Sequence, residues 1–455
     1  MTLSPAPVNP YRIATAIRSY ENFFGRKEQL QNVFEHIFKG ESVNVVGERR
    51  SGKSSFLRHM LHPQVRDRYA IDDGSDIYVR LDAQICPQEV QGFYRELLSG
   101  VKEQCPDLSI ALDEKEMDER RVLNMLEALK PRRLVLLVDE FEWISQCENF
   151  PLEFFVFLRG LSDNYRISFI LATCKNLAEN CSQDFYTSPF PNIFRNVRIG
   201  PFTEKAFQEF LDKTSETGGF PLTKVGDEIV DLAGYLPYLV QVACWHYFHA
   251  WTKYGQLVPE VHQSAQQGFE ERARYHFSSM WEHHLSDKER RVLTALADDQ
   301  PSPWPHVTRL LEQKGYVHDG AIAGQALAAY VASHAKDSEV GMVALASEKE
   351  IPAHGLHVDI EGGNVYVEGE RLEPALPKYQ FRLLKLLYEN RDKVCTTDTI
   401  VKNVWPKENY YEVDDQRIHA LVSRLRGRIE PDGRPWKYIR TVRGRGLVLR
   451  SGAES

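Results

Sequence analysis

The chain has 455 residues, 42% hydrophobic and 26% charged, an ordinary globular balance and more sequence than one hydrophobic core absorbs. Its formal net charge of −8 would argue against a nucleic-acid partner if it were evenly spread, but between Arg417 and Arg450 ten Lys and Arg face only two acids. The seven cysteines lack the spacing of a zinc knuckle or a redox dithiol, no apolar run approaches the roughly 20 residues that span a bilayer, and no basic-then-apolar leader opens the chain. The expectation is a cytoplasmic protein with reduced thiols and no membrane contact.

Residues 1–20 carry several prolines and read as an extended arm. A helical pattern over 27–38 precedes a β-branched run at 42–46 that stops at Gly47, and a helical pattern resumes over 54–60. Further strands are expected at 77–81, 134–138 and 167–172, with helices at 88–101 and 119–129 between them. That alternation predicts a parallel sheet covered on both faces, an α/β core over 21–202. Residues 203–275 look wholly helical, a lid; 276–335 suggest a small winged helix, with three short helices over 286–318 and a turn at Gly315. A polar linker at 336–353 follows. From 354 to 455 the period changes to two, then come helices at about 377–390, 397–404 and 414–430 and a hairpin at 438–450.

Gly47-Glu48-Arg49-Arg50-Ser51-Gly52-Lys53-Ser54 fits G-x-x-x-x-G-K-[ST], lies between a strand and a helix, and is followed by Ser55. Its glycines let successive N–H groups curl around phosphates; Lys53 would reach the β- and γ-phosphates, and Ser54 would ligate Mg2+. The apolar run 134–138 ends in Asp139-Glu140, where Asp139 can hold Mg2+ through water and Glu140 can polarise an attacking water. Both Lys53 and Glu140 are therefore catalytic candidates. Arg195 and Arg198 either approach a phosphate, in cis or in trans, or form a solvated pair.

Phe24-Gly25-Arg26, the phosphate loop, Asp139-Glu140 and Gly234-Tyr235-Leu236-Pro237-Tyr238 together resemble the ATPase core of the STAND and Orc/Cdc6-like branches of the AAA superfamily over residues 21–335. The resemblance implies that Arg26 lies near the adenine or ribose, that Pro237 closes over the nucleotide, and that this nucleotide is ATP. It also points to Asn176, in the tip Thr173-Cys174-Lys175-Asn176, as the polar sensor beside the γ-phosphate, the alternative being a simple loop residue. No sensor 2 arginine stands out, and the long sensory repeats of many STAND proteins are missing.

Over 414–430, Ile418, Val422, Leu425 and Ile429 make a core stripe, while Arg417, Leu421, Arg424 and Arg428 repeat that spacing one residue earlier and predict an outward, basic face. Such a helix fits the major groove, with Arg426 able to reach phosphate and Gln416 a base edge. The hairpin carries Arg443 and Arg445 at its tip, placed for a minor groove. Residues 355–451 resemble the OmpR/PhoB-type winged-helix effector domain of response regulators, through Phe381-Arg382-Leu383-Leu384, Val404-Trp405, Val422-Ser423-Arg424-Leu425-Arg426 and Tyr438-Ile439-Arg440-Thr441-Val442-Arg443-Gly444. The resemblance implies DNA contacts by Arg417, Arg424 and Arg426 from the helix and by Thr441 and Arg443 from the wing.

The expected fold class is multidomain: an α/β P-loop NTPase core with a helical lid and a small winged helix, followed by the OmpR/PhoB-type domain. The expected function is an ATP- and Mg2+-dependent switch controlling a sequence-specific reader of double-stranded DNA, a transcription regulator that forms a homo-oligomer on ATP or DNA binding. The alternative is a DNA-binding ATPase sensor or loader of a defence, replication or mobile-element system, acting with a separate effector protein. A binding module with a vestigial ATPase is disfavoured by the intact Lys53, Asp139 and Glu140.

Overall fold

The computed structural model describes residues 9–13, 15–69, 76–110, 112, 117–177, 181–334, 355–359, 364–368, 370–372, 376–404, 415–430, 436–442 and 445–450. The chain divides into two compact units, Met1–Glu339 and Val340–Ser455. The expected linker at 336–353 and residues 1–8 of the arm lie outside the described residues.

The first unit opens with α1 (Lys27–Phe38), whose Leu30, Val33, Phe34 and Ile37 form one buried stripe. Then follow β1 (Ser42–Val46), α2 (Lys53–Met60), α3 (Pro63–Tyr69), β2 (Ile77–Asp82), α4 (Val90–Gln104), α5 (Glu119–Leu129), β3 (Leu134–Asp139), α6 (Glu142–Ser145), α7 (Leu152–Asn164), β4 (Ile167–Thr173), α8 (Gln183–Thr187) and β5 (Phe194–Arg198). The strands pair in parallel in the order β2-β3-β4-β1-β5. Leu134, Leu136 and Val138 of β3 pack with α4, α5 and α7, whereas Val135 and Leu137 pack with α1 and α2. Coverage of both faces explains why β1, β3 and β4 are buried at every position rather than at alternate ones. One polar row crosses this apolar centre: Thr173 Oγ1 donates to Asn44 Oδ1 (2.9 Å) and Asn44 Nδ2 to Asn196 Oδ1 (3.2 Å).

β5 is an edge strand that the sequence reading did not place. Only Val197 of it is buried, so it lacks an apolar run, and its arginines suit an edge. Arg195 sits in register with Val43, toward the start of β1, and Arg198 with Val46 at its end.

The stretch expected to form a lid is helical: α9 (Glu204–Gly218), capped by Thr203, α10 (Gly226–Ala233), α11 (Pro237–Tyr254) and α12 (Pro259–Ser279). α12 runs past 275, where the lid was expected to end, and unwinds into a π turn at Met280–His284. Next come α13 (Asp287–Ala297), α14 (Pro305–Lys314), the two-residue strands β6 (Val317–His318) and β7 (Ala321–Ile322), and α15 (325–334). Two helices, not three, therefore lie between Ser286 and His318. A single apolar cluster runs from Phe210 and Val240 of the lid through Phe277 to Leu293 and Leu311, and it takes in Tyr11 of the arm. The arm is tied down further by Asn9 Nδ2 donating to Trp245 O (3.1 Å) and Ile17 N to Ser55 Oγ (3.0 Å).

The second unit comprises β8 (Leu356–Asp359), β9 (Asn364–Val367) and β10 (Glu370–Arg371) in one antiparallel sheet, then α16 (Lys378–Glu389), α17 (Thr397–Val404), α18 (Asp415–Ile429) and the hairpin β11 (Ile439–Val442) and β12 (Gly446–Leu449). The α18 stripe of Ile418, Val422, Leu425 and Ile429 is buried as its spacing predicts. Leu421, expected on the outward face, is also buried in this core, its exposure only 9%, so the outward face is narrower than the arginine spacing suggested. The hairpin is fastened by Cys395 and Leu447, which exchange both backbone hydrogen bonds (2.8 and 3.0 Å). Gly446 permits this approach: its φ is +134°, and a Cβ there would stand 2.0 Å from Cys395 O.

Candidate functional site: a phosphate loop and a DNA-reading helix

The phosphate loop spans the end of β1 and the start of α2, and α2 begins at Gly52 with φ +103°, a conformation glycine adopts without strain. Lys53 is buried, and its Nζ donates to Gly47 O (2.8 Å), Glu48 O (3.2 Å) and Cys174 Sγ (3.4 Å). Burial acts to lower the Lys53 pKa, but Cys174, Glu140 and Glu142 outweigh it and hold the ammonium above the ordinary lysine value. Ser54 Oγ donates to Asp139 Oδ1 at 3.2 Å, and Arg80 Nη2 donates to the other Asp139 oxygen at 2.6 Å. Two hard oxygen donors this close are a fitting start for a Mg2+ site, at which the ion would share the Asp139 carboxylate with Arg80.

Glu140 follows β3 with φ +52°, so the backbone turns sharply after Asp139. Burial pushes its carboxyl above the ordinary carboxylate value; Lys53 opposes this, while Glu142 and Asp139 add to it. Glu142 Oε1 accepts the Cys174 N–H, joining the turn after β3 to the tip of β4. It is thus Cys174, not Asn176, that meets Lys53 at the strand tip; its thiol is pushed up to about 12, chiefly by burial. Asn176 is half-buried two residues beyond.

Beside the loop lies a cavity of about 410 Å³. Arg50, Ser51, Gly52, Lys53, Ser54, Ser55 and Glu140 line its phosphate side, and Ile13, Ala16, Ile17, Phe24, Phe202 and Phe210 give it an apolar wall. Pro237, at the first turn of α11, and Arg272 reach it from the lid. Arg26 also lines it, but its guanidinium is spent on Gly200 O (2.6 Å) and Pro201 O (3.1 Å), and burial lowers its pKa to about 10. Arg26 therefore fixes the junction of β5 and α9. Arg50 lies 4.2 Å over the Tyr238 ring, and Tyr238 packs on His276, so the loop abuts the lid directly. Glu48 points elsewhere, to Lys314 of α14 at 3.0 Å. The sequence gives no sign that the arm lines this site, nor that Arg80, Cys174, Arg272 and Lys314 belong to it, since each is brought in by tertiary packing and stands in no local motif.

In the second unit, Arg424 is exposed on α18 and Arg428 half-buried. The side chains of Gln416 and Arg417, and the whole of Arg443, lie outside the described residues. Arg426 corrects the expectation that it reaches phosphate. It is buried, donating Nε and Nη2 to Ile439 O (3.1 and 2.9 Å) and Nη2 to Thr441 Oγ1 (3.0 Å). Glu430 accepts from the N–H groups of Tyr438 (2.8 Å) and Ile439 (2.9 Å), so both residues lash the helix to the wing. Arg445 is exposed at the turn of the hairpin. Among the described residues, no helix is long and apolar enough to cross a membrane.

Residues 371–449 match the family described as Transcriptional regulatory protein, C terminal, and the second unit is an OmpR/PhoB-type winged-helix DNA-binding domain. Response regulator ArlR of Staphylococcus haemolyticus (strain JCSC1435) is 34% identical over 100 residues, 22% of this chain and 43% of that protein. The chain thus spans less than half the length of that relative. The Walker-type ATPase paby2304 of Pyrococcus abyssi aligns with 70% of this chain and 98% of its own, at 18% identity and a TM-score of 0.47. The ORC2 protein of Aeropyrum pernix aligns with 73% of this chain and 100% of its own, at 13% identity and a TM-score of 0.46. The longest family match covers residues 39–302, more than half of the chain, and on that ground the protein belongs to the family described as Novel STAND NTPase 2.

Proposed function

We propose that the protein binds and slowly hydrolyses ATP with Mg2+, and that the nucleotide state controls sequence-specific binding of double-stranded DNA by the C-terminal unit, making it a transcription regulator. The observation that carries this reading is the convergence of Lys53, Ser54 and Glu140 on one cavity, with Asp139 hydrogen-bonded to Ser54, in a chain whose other unit is a DNA-binding winged helix. Lys53 would take the β- and γ-phosphates, leaving its two loop carbonyls. Ser54 and Asp139 would hold Mg2+, which supplies charge neutralisation on the phosphates when bound. Glu140 orients water and accepts its proton, which its raised pKa favours. The apolar wall suits a base, and ATP is supported by the resemblance to STAND and Orc/Cdc6-like ATPases. Arg424 reads the major groove and Arg445 reaches the backbone or minor groove.

The experiment is DNA footprinting with the full chain in the apo, ADP and ATP-analogue forms. A discrete repeated site near a promoter, whose occupancy depends on nucleotide and loses that dependence in Lys53→Ala, is the expected result. Occupancy identical in all three forms would refute the switch, and uniform coverage of DNA would favour a loader acting with a separate effector.

A further inference from the structure

Glu48, the second residue of the phosphate loop, is held from outside the ATPase core. Lys314, in the last turn of α14, lies 3.0 Å from Glu48 and 2.8 Å from Glu289 of α13, and the three side chains are only 10%, 9% and 5% exposed. The far end of this triad is itself anchored. Glu289 closes the capping box of α13, accepting from Ser286 N and Ser286 Oγ, both at 2.8 Å. Ser286 lies just beyond the π turn that joins the lid to α13. Among the described residues, this is the buried ionic contact between the loop and the first winged helix.

Three buried charges have two comfortable states. Together, the one ammonium serves both carboxylates; separated, a carboxylate must either return to water or stay buried without its cation, which is strongly unfavourable. A contact of this kind transmits a displacement rather than absorbing it. Glu48 is placed to receive one, because its carbonyl accepts from Lys53 at 3.2 Å and from Ser51 N at 3.1 Å while its carboxylate meets Lys314. One residue thus separates the phosphate-binding lysine from the winged helix. When Lys53 turns to phosphate it releases the Glu48 carbonyl. A polyphosphate also brings negative charge toward a triad with two carboxylates and one cation.

We propose that Lys314 is a positioning residue through which the first winged helix answers to the nucleotide: the loop moves Glu48, and Glu48 moves Lys314, α14 and the capped start of α13. This rests on the reading of the cavity as a nucleotide site. The lowered Glu289 pKa and raised Lys314 pKa agree with an ionised Glu289–Lys314 pair, since in each the opposite charge and the hydrogen bonds outweigh burial.

The test is hydrogen–deuterium exchange of the full chain with Mg2+-ADP and with a Mg2+-bound non-hydrolysable ATP analogue. In the wild type, replacing one nucleotide by the other should change amide protection in α13 and α14 by roughly 5-fold or more. In Lys314→Met that difference should vanish while both nucleotides still bind, and Lys314→Arg should restore it. Should Lys314→Met fail to fold, Glu289→Gln, which leaves the contact with Glu48, decides instead and should reduce the difference. A difference that survives intact in the variants overturns the proposal, as does a wild type that binds both nucleotides with α13 and α14 indifferent to them. A wild type that binds neither nucleotide overturns the reading of the cavity, and the proposal with it.

Discussion

Replacing Glu140 by Gln changes one oxygen to nitrogen in a half-buried side chain and leaves Lys53, Ser54 and Asp139 in their contacts. A positioned general base of this kind contributes about 10²–10⁴-fold, so the variant should lose about 2.7–5.4 kcal/mol of transition-state stabilisation while ATP affinity is retained. The pH dependence has a defined sign. The carboxylate is the working form and burial raises its pKa, so wild-type turnover should fall as pH drops through a value above the ordinary 4.5. Glu140→Gln should lack that limb. Phosphate release at saturating Mg2+-ATP, measured beside equilibrium ATP binding, tests both parts. Undiminished hydrolysis would remove Glu140 from the chemistry. Joint loss of binding and turnover would make it a structural residue, held at φ +52° for the sake of the turn.

Arg424→Ala should weaken specific DNA binding by about 1–3 kcal/mol in competition titrations with no fall in melting temperature, and an unchanged affinity would move the reading face elsewhere. Arg426→Ala should do the reverse first, destabilising the second unit by about 1.5–3 kcal/mol through its lost charged hydrogen bonds; a denaturation curve like that of the wild type would refute its role as an anchor. His276, whose pKa burial lowers from 6.5 to about 4, should make the first unit less stable as pH falls across that window, because the unfolded chain takes up the proton first. The ceiling is on the order of 3 kcal/mol. Since His59 is lowered to about 4 in the same way, His276→Gln should flatten only part of the acid slope in thermal melts, and no flattening would place the acid sensitivity elsewhere.

Where function depends on neighbours in sequence, it was legible. The loop from Gly47 to Ser54 and the Asp139-Glu140 strand end are local patterns, and the largely apolar, β-branched character of β1, β3 and β4 follows from burial on both faces. β5 was not legible because an edge strand with one buried residue carries no periodic signal. Arg426 misled for a different reason. Its helical position is compatible with solvent, and only the folded wing supplies the Ile439 carbonyl that draws it inward. The assignment of Asn176 rested on resemblance, whereas the contact with Lys53 falls to Cys174 because β4 extends through Thr173 and stops there. Lys314 lies more than 260 residues from Glu48, and no single-sequence pattern links charges so far apart.

The side chains of Asn44, Thr173 and Asn196 bear on how the candidate site is aligned at all. Parallel strands made of uninterrupted valine, leucine and isoleucine slide past one another with little loss of apolar contact, so greasiness alone leaves their offset weakly defined. The buried amide of Asn44 and hydroxyl of Thr173 favour a single offset between β1 and β4, because a slip would strand them without each other. That same offset decides which atom of the β4 tip stands opposite the Lys53 ammonium. A hydrocarbon replacement such as Asn44→Val could leave the sheet as cohesive as before and still blur the chemistry at its edge.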